Sequence, residues 1–536
     1  MSQAPEHPPL VSPSASGRKS LSIVGWILLF LGIVATLYTG LEKWNEVIQD
    51  DTYISLIYSR NFARGLGLVY NPGHEAVEGY TNFSWTVLAG WAIQLGWDPV
   101  QFVQFAALAC AVVVVVQTYF LARRIGVSPV FSGAAALTMG LRPALTTEAM
   151  GGLETCLFAL AIQGAIFLTL SPRPRIATRL GAGLFLGLAA ITRPEGVFVF
   201  GLIELSFLWL AWRESRSESG TFPKWLKAGL VRWAPFVLIV GSHLTFRWLT
   251  YNDYIPNTAR AKVHSSNELY GRGFDYVFQG ISYFGALFLI LPYLLMNRIK
   301  GRGAGVLLFI NAVYVLYIFK VGGDFKLTWR FFVVLFPIWC SLAALSFESI
   351  TESMRAHSSL ARAGSLGLFL LYMGAHLAWE YKNRPPKAPV AHDQLIAAGK
   401  HLNSVLPEGS WIAANMAGCI PYYTDRNTLD MMGLSDKHIA RAPVREYAQK
   451  KTGHERGDGK YVLDCEPDVI IIQKAGFSAY PLNRTRDVMK EILKHPTGAS
   501  EIEIFQDERF LKEYKLQTIA LEGLDEVAYF NYFRRR

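Results

Sequence analysis

Two adjacent carboxylates, Asp50 and Asp51, follow the first apolar run and precede a segment expected to be helical through Ala63. A carboxylate there can act as a general base that takes a proton from a hydroxyl group. Adjacent residues on a helix point about 100° apart, so only one of the two can be central, and Asp51 is slightly favoured. The other would orient it, cap the helix or help to bind a cation. Alternatively, the pair merely caps the helix, where acidic residues are common.

The other connections between apolar runs that are predicted on the same side of the membrane as this pair also contain polar residues. Charged side chains at membrane depth are costly and are functional candidates by default, although a single one is more often a snorkelling side chain. Together they predict one polar cavity at the outer membrane interface. The candidate substrate-binding residues are Arg60, Glu78, Tyr80, Asn82, Glu154, Arg193, Asn257, Lys262, Asp324 and Arg330, with Glu148, Glu195 and Arg260 beside them.

Such a cavity suits group transfer from an anionic leaving group such as a lipid phosphate. A carboxylate would deprotonate the acceptor hydroxyl, while Arg and Lys side chains would stabilise the departing phosphate. Phosphate is already a good leaving group, so a second carboxyl acting as an acid is not required. The sequence contains no P-loop, no GxGxxG in strand context and no CxxC or HExxH signature. We therefore predict no cofactor and no metal site, and nothing in the sequence supports a divalent cation.

The elements that position these residues are largely apolar. Hydrophobic residues make up 51% of the 536 and charged residues 18%, below the roughly 25% of soluble chains. Apolar runs recur from Leu21 to Trp379, whereas the remainder has ordinary soluble composition, which excludes a string of soluble domains. The net charge of +10 is explained by basic loops between spans better than by nucleic-acid binding.

Crossing a bilayer takes about 20 apolar residues. The segment Ser84–Trp97 is too short to cross and is expected to lie at the interface, because counting it as a span would invert the Lys/Arg bias of every later loop. With this segment left out, the Lys/Arg excess in alternate loops places the N-terminus in the cytoplasm and the tail outside. The eleven predicted spans are 21–40, 101–122, 129–148, 151–170, 177–192, 194–212, 230–250, 276–296, 303–320, 330–350 and 361–379.

Three regions follow from this pattern. Residues 1–20 are Pro/Ser-rich and expected to be disordered, 21–379 form the transmembrane catalytic region with a large outside loop 41–100, and 380–536 form an extracytoplasmic α/β domain. In this tail we predict a helix at Asp393–Leu406 and strands at Trp411–Ala414, Val469–Gln473, Lys515–Leu521 and Val527–Phe533. Cys419 and Cys465 could pair there if the tail is outside.

At these residues the sequence resembles the GT-C superfamily of polyprenyl-phosphate-sugar-dependent glycosyltransferases, and more closely the mycobacterial terminal arabinofuranosyltransferase group. The resemblance runs from Asp50 to about Gln473. Its ordered stretches are DDTYISLIYSRNFARGLGLVYNPG, VEGYTNFSW, GGLET, TRPEG, PNTARAK, VGGDF with Arg330, DMMGLSDKHIAR and GHERGDGKYVL.

The resemblance implies a polytopic α-helical membrane protein of the bacterial cytoplasmic membrane with a C-terminal soluble α/β domain outside. Asp50 and Asp51 would match the catalytic acidic motif of the family. The donor would be a polyprenyl-phospho-monosaccharide, decaprenyl-phosphoryl-arabinofuranose in the mycobacterial case, and the acceptor a cell-envelope glycan or a protein. No residue identifies the donor sugar.

Three alternatives remain open at the level of sequence. In the tail, Asp430, Asp436, His438 and Arg441 either contribute to an acceptor site or only shape turns and a helix start, with Asp436 as a cap. An oligosaccharide ligase or polymerase of related architecture would need room for a longer donor. A transporter of lipid-linked sugar would favour midplane charges and internal repeats, which the sequence does not show.

Overall fold

The computed structural model describes residues 15–44, 48–215, 221–262, 267–285, 302–324, 329–353, 359–382, 392–445, 455–473, 476–494, 498–522, 524 and 528–536. The first part of the chain is helical: α1 Ala15–Glu42, α2 Asp50–Ala63, α3 Phe83–Gln94, α4 Pro99–Arg124, α5 Pro129–Gly140, α6 Pro143–Met150, α7 Thr155–Thr169, α8 Ile176–Thr192, α9 Glu195–Ser215, α10 Thr221–Tyr251, α11 Asn257–Lys262, α12 Asn267–Tyr283, α13 Arg302–Lys320, α14 Arg330–Val333, α15 Phe336–Ser353 and α16 Ser359–Lys382.

Membrane-spanning character is concentrated in this helical part. Among the described residues, five helices are long and apolar enough to cross a membrane: Ser22–Glu42, Pro99–Arg124, Glu195–Trp212, Trp225–Tyr251 and Gly303–Lys320. Three more, at Thr155–Thr169, Ile176–Thr192 and Phe336–Ile350, are apolar but shorter. The chain is thus a multi-pass membrane protein, and the number of eleven spans stays a prediction.

Two predicted spans were wrong as continuous helices, and in both a proline accounts for the break. The span 129–148 is divided because Arg142 is extended and Pro143 opens α6. A proline disfavours helix at the residue before it and lacks the N–H that a helix interior needs. The span 330–350 is likewise divided into α14 and α15, with Pro337 in the first turn of α15.

Two other segments differ from expectation at their ends. The span predicted at 276–296 corresponds to α12, which begins earlier, at Asn267, and its part after residue 285 lies outside the described residues. Helix α1 begins at Ala15, so the end of the segment predicted to be disordered is helical, while residues 1–14 lie outside the described part. The predicted hairpin break is confirmed, because α8 ends at Thr192 and α9 begins at Glu195.

We refer to the turns and loops that the sequence predicts on the extracytoplasmic side as the outside turns and loops. In the first outside loop, helix α2 carries Asp50, Asp51 and Arg60, whereas Glu78, Tyr80 and Asn82 lie before α3. Helix α2 spans Asp50–Ala63, which confirms its predicted end and places the acidic pair in its first turn; it is buried on nearly all sides from Thr52 to Ser59. Helix α3 has 12 residues and is about 18 Å long at 1.5 Å per residue, too short for a core of about 30 Å. Its length fits the predicted helix at the interface.

Glycines let α1 and α5 pack closely. A Cβ built on Gly133 would lie 2.4 Å from the carbonyl oxygen of Gly25, and one on Gly140 would lie 2.1 Å from that of Gly32. Thr36 of α1 also donates to the carbonyl of Gly140 at 3.3 Å. Small residues at facing positions are a usual means of close helix contact in membranes.

The tail is an α/β unit with one six-stranded sheet. Its elements are α17 His392–Val405, β1 Trp411–Ala414, α18 Cys419–Thr424, β2 Asn427–Asp430, α19 Lys437–Arg441, α20 Gly459–Asp464, β3 Val469–Ile471, β4 Phe477–Ser478, α21 Thr485–Lys494, α22 Ala499–Gln506, α23 Glu508–Glu513, β5 Tyr514–Leu521 and β6 Ala528–Arg535. The predicted helix and all four predicted strands are confirmed to within a few residues, whereas β2 and β4 were not predicted.

The sheet is mixed. Strand β1 lies between β2 and β3 and is parallel to both, and β6 runs antiparallel to β3, β4 and β5. One hydrophobic cluster continues from the transmembrane helices into this tail, for example from Tyr53 and Leu56 to Cys419 and Ile420. The tail is therefore packed directly on α2. Cys419 and Cys465 are both free, the first buried and the second exposed.

Candidate functional site

The first turn of α2 is held by the turn that follows α6. The backbone N–H of Gln49 and the hydroxyl of Thr52 both donate to the carbonyl of Gly151, at 3.2 and 2.7 Å. The neighbouring Gly152 has φ +78°, and a Cβ there would lie 3.0 Å from Thr52. Gln49, not an aspartate, occupies the N-cap position of α2. The acidic pair therefore stands within the first turn, and neither residue is the N-cap.

The two aspartates have different surroundings. Oδ1 of Asp50 accepts a hydrogen bond from the backbone N–H of Cys419 in the tail, at 2.8 Å. Asp51 is half-buried, and its charge acts on the guanidinium of Arg330. This divergence follows from the angle of about 100° between successive helix residues. Asp50 thus faces the tail, whereas Asp51 lies within electrostatic range of Arg330.

Three outside turns meet at Glu154. Its Oε1 accepts from Nη1 of Arg193 at 2.8 Å, and its Oε2 accepts from the side-chain amide of Asn82 at 2.8 Å. Arg193 also donates through Nη2 to Glu195 at 2.7 Å. The amide oxygen of Asn82 in turn accepts from Ser55 of α2 at 3.0 Å. A continuous polar network therefore connects α2 with the turns before α3, α7 and α9.

A second guanidinium lies beside this network. Arg330 forms an ion pair with Asp324, and the charges of Glu148 and Arg193 also act on it. The ring of Phe331 lies near both cations, 5.4 Å from Cζ of Arg193 and 5.7 Å from Cζ of Arg330. We refer to these neighbouring groups as the Arg193–Arg330 cluster; its members are Asp51, Glu148, Glu154, Arg193, Glu195, Asp324 and Arg330.

The cluster is largely enclosed. The Arg193 and Arg330 side chains are 11% and 16% exposed, whereas Glu154 and Asp324 are only 5% and 3% exposed. Guanidinium groups bind phosphate through paired hydrogen bonds, and such bonds are strong where water is scarce. The half-buried carboxylate of Asp51, in the same cluster as these guanidiniums, is therefore able to take a proton next to a phosphate that they bind.

Other predicted site residues hold the outside loops together instead of joining this cluster. Glu78 forms a two-point ion pair with Arg247 of α10, with contacts of 2.8 and 2.6 Å. Burial raises the pKa of Glu78 to about 7, because its effect exceeds the opposite effect of the Arg247 charge. The hydroxyl of Tyr80 is hydrogen-bonded to that of Tyr251 at 3.0 Å. These contacts attach the first outside loop to the C-terminal end of α10.

Arg60 and Asn257 bind the tail. Arg60 pairs with Asp425 at 2.8 Å, and the side-chain amide of Asn257 lies 2.8 to 3.1 Å from the carbonyls of Gly433, Leu434 and Asp436. Lys262 ends α11 and is half-buried. Arg60, Glu78, Tyr80 and Asn257 are each engaged in contacts that hold loops or the tail, and none of these four is a member of the Arg193–Arg330 cluster.

The polar tail residues have mainly structural contacts. Asp430 is buried and accepts from the backbone N–H groups of Met432 and Ser435, at 2.9 and 2.7 Å. Asp436 caps α19 by accepting from Ile439, which confirms the expected cap. His438 and Arg441 are half-exposed and line a hollow of ≈380 Å³ with Lys437, Ala442, Pro443 and Asp458.

Sequence reasoning missed several residues of these contacts. Tyr276 of α12 is 7% exposed, and the charges of Asp324, Arg330 and Glu148 act on its hydroxyl. Arg142 and Glu380 form an ion pair of 2.5 Å that is almost wholly buried. A charge inside an apolar run was the available signal for Arg142 and Arg247. No such signal marked Tyr276. Among the described residues, no group of three His, Cys, Asp or Glu could hold a metal ion.

Comparison with known proteins places the fold. ArnT from Cupriavidus metallidurans, bound to undecaprenyl phosphate, superposes with a TM-score of 0.56 at 13% identity, covering 97% of this chain and 98% of that one. The Archaeoglobus fulgidus oligosaccharyltransferase AglB, in complex with an inhibitory peptide and a dolichol-phosphate, gives 0.51 at 12% identity over 76% of this chain. This chain spans 64% of the length of AglB. Both are GT-C glycosyltransferases, and the chain has a GT-C fold with a small C-terminal sheet region.

At the level of sequence the matches are narrower. Residues 384–527 match the model of a domain of unknown function, DUF8728. No curated protein matches the chain. The matched domain lies within the tail.

Proposed function

We propose that this protein is a membrane glycosyltransferase that moves a monosaccharide from a polyprenyl-phosphate donor to a cell-envelope glycan or protein acceptor. Asp51 is the general base of this reaction, and Arg193 and Arg330 bind the donor phosphate. The observation that carries the proposal is the half-buried Asp51 whose charge acts on Arg330, next to a second guanidinium at the same Phe331 ring.

In the transfer step, the Asp51 carboxylate accepts the proton of the acceptor hydroxyl as its oxygen attacks the anomeric carbon of the sugar. The bond between this carbon and the phosphate oxygen breaks, and the phosphate leaves with the bonding electron pair. Arg193 and Arg330 stabilise the charge that develops on that oxygen. Glu154 and Asp324 hold the two guanidiniums in place through their ion pairs.

The fold supports the choice of donor. ArnT was solved with undecaprenyl phosphate and AglB with a dolichol-phosphate, both polyprenyl-type phosphates. The resemblance of the DDTYISLIYSRNFARGLGLVYNPG and TRPEG stretches to the arabinofuranosyltransferase group favours arabinofuranose as the sugar. The reaction then takes place on the extracytoplasmic face of the bacterial cytoplasmic membrane, with the tail 380–536 outside and the transmembrane region 21–379 carrying the site.

The hollow beside α19 supports a role of the tail in acceptor binding. It is lined by tail residues, two of which also contact the preceding loops: Lys437 pairs with Glu75 of the first loop at 2.7 Å, and Arg441 lies 3.8 Å from Asp253. His438, Arg441 and Asp458 offer donors and an acceptor to sugar hydroxyls. A second candidate function, oligosaccharide transfer, is favoured by the likeness to AglB.

The test is transfer of radiolabelled sugar from polyprenyl-phosphate donors to envelope glycans, with wild type and Asp51→Asn at matched expression. The loss of a general base is expected to lower the rate by about 10²- to 10⁴-fold. Asp98→Asn is the matched control, because Asp98 only caps α4 through its side chain and asparagine caps equally well. Full transfer by Asp51→Asn would refute the assignment of the base, and transfer of lipid-linked oligosaccharide alone would favour the second candidate.

A further inference from the structure

Helix α18 of the tail lies against α2, and both ends of α18 are fastened to α2. At the first end, the N–H of Cys419 donates to Oδ1 of Asp50 at 2.8 Å. The approach is so close that a Cβ built on Gly418 would lie 2.0 Å from the backbone oxygen of Asp50. Glycine is thus needed at this position for α18 to reach the first turn of α2.

At the other end, Asp425 follows α18 and binds Arg60 of α2 and Arg64, which directly follows α2. Arg60 pairs with its Oδ1 at 2.8 Å, and Arg64 donates to both carboxylate oxygens, at 3.1 and 2.9 Å. Asp425 has φ +51°, a left-handed conformation that aspartate and asparagine adopt more readily than other residues with a side chain. The paired charges thus fix the turn at the end of α18 against α2.

Between these ends, aromatic rings fill the contact. The ring of Tyr53 lies 5.3 Å from that of Tyr422 and 5.7 Å from that of Tyr423, and its hydroxyl is 2.9 Å from Nε2 of His392. Arg60 also donates to the carbonyl of Tyr422 at 2.6 Å. The whole length of α18 is thus bound to α2.

We propose that α18 is a positioning element of the catalytic centre and that Asp50 is a positioning residue, not a base. The inference rests on the proposed function, in which Asp51 is the base. Asp51 belongs to the same first turn as Asp50, so the bond from Cys419 to Asp50 sets the direction in which Asp51 points. The tail thereby takes part in catalysis through the backbone of α2.

Substitutions of Asp50 distinguish positioning from proton transfer. Asparagine retains an oxygen that accepts from Cys419, so Asp50→Asn is expected to keep a turnover within about threefold of wild type, since it loses charge but not the hydrogen bond. Asp50→Ala removes the acceptor and is expected to lower kcat by about 10²-fold, the cost of a misplaced reacting group, with KM for the donor little changed. Equal inactivity of both variants would overturn the proposal, because a base is lost in either case.

Labelling of Cys419 measures the contact independently of activity. Its thiol is buried, whereas that of Cys465 is exposed and provides an internal reference in the same tail. In the full-length protein, Asp50→Ala, Gly418→Ala and Asp425→Ala should increase maleimide labelling of Cys419, determined by mass spectrometry. Gly374→Ala is the control, because a Cβ there meets nothing within 4 Å. Asp425→Asn removes the charge but keeps a residue that adopts the left-handed conformation, so its effect on labelling measures the loss of the charge alone.

The outcomes separate the two proposals. Unchanged labelling of Cys419 in Asp50→Ala and Gly418→Ala would overturn the role of α18, whatever the activity. Increased labelling together with active Asp50→Asn and inactive Asp50→Ala would support it. If the variants show the labelling pattern but the wild type transfers no sugar from any donor, the proposed function is refuted and with it the positioning role of Asp50 in catalysis.

Discussion

Oε1 of Glu154 accepts a hydrogen bond from Nη1 of Arg193 at 2.8 Å, although the two residues come from different outside turns. The other carboxylate oxygen of Glu154 accepts from Asn82 at 2.8 Å. One buried side chain thus orients the guanidinium proposed to bind phosphate and ties it to the residue that precedes α3. The geometry of the Arg193–Arg330 cluster depends on this carboxylate.

Glu154→Gln should destabilise the protein. A glutamine presents an NH₂ group in place of one oxygen, so that either Asn82 or Arg193 loses its acceptor in a buried place. The expected loss in the free energy of unfolding is about 1–3 kcal/mol. Thermal unfolding in detergent measures it, and Glu75→Gln is the control. Glu75 is 69% exposed in its pair with Lys437, so its substitution should cost less than about 1 kcal/mol.

Arg330→Gln should reduce catalysis. If Arg330 stabilises the leaving phosphate, the substitution is expected to lower kcat by about 10²- to 10³-fold, as for the loss of one charge-stabilising donor. Steady-state transfer assays give the value. Arg272→Gln serves as control, because Arg272 also forms an ion pair, with Glu455 of the tail at 2.7 Å, but is not a member of the Arg193–Arg330 cluster. Similar losses in both variants would indicate a general defect and contradict a specific role.

The buried pair of Arg142 and Glu380 should show strong coupling. Arg142→Met or Glu380→Leu leaves one buried charge without its partner and is expected to cost about 3–5 kcal/mol, whereas the double substitution should cost less than the sum. Chemical denaturation of the three variants and wild type provides the double-mutant cycle. Additive losses would show that the two charges do not stabilise each other.

Asp430 should make the stability of the tail depend on pH. Burial raises its pKa from 3.8 to about 6, although hydrogen bonds from the backbone N–H groups of Ser435 and Met432 lower it. Its contribution is complete below pH 3.8, where the carboxyl is protonated in both states, and is lost as the pH rises through about 6. The stability of wild type relative to Asp430→Asn should therefore be greatest near pH 4 and level off above the folded pKa. A difference independent of pH, in thermal unfolding from pH 4 to 8, would contradict this.

Much of the architecture could be predicted from local sequence. The apolar runs indicated a multi-pass membrane protein, and the Ser84–Trp97 segment indicated a helix too short to cross, because burial in lipid requires a continuous apolar stretch of about 20 residues. The acidic pair was visible in the sequence, and the angle between successive helix residues predicted that its two side chains diverge. The local residue composition likewise predicted the strand at Trp411–Ala414. These features depend on neighbours along the chain.

The partners of the site residues were decided only by tertiary structure. Asp50 binds Cys419, 369 positions later, and Arg142 binds Glu380, 238 positions later. Spacing along the chain carries no information on such pairs, because they depend on how the helices pack and where the tail docks. The same packing directs Glu78 to Arg247 and leaves Asp51 beside Arg330. Sequence thus determined which residue types stand in the turns between the apolar helices, and the folded chain decided which of them meet.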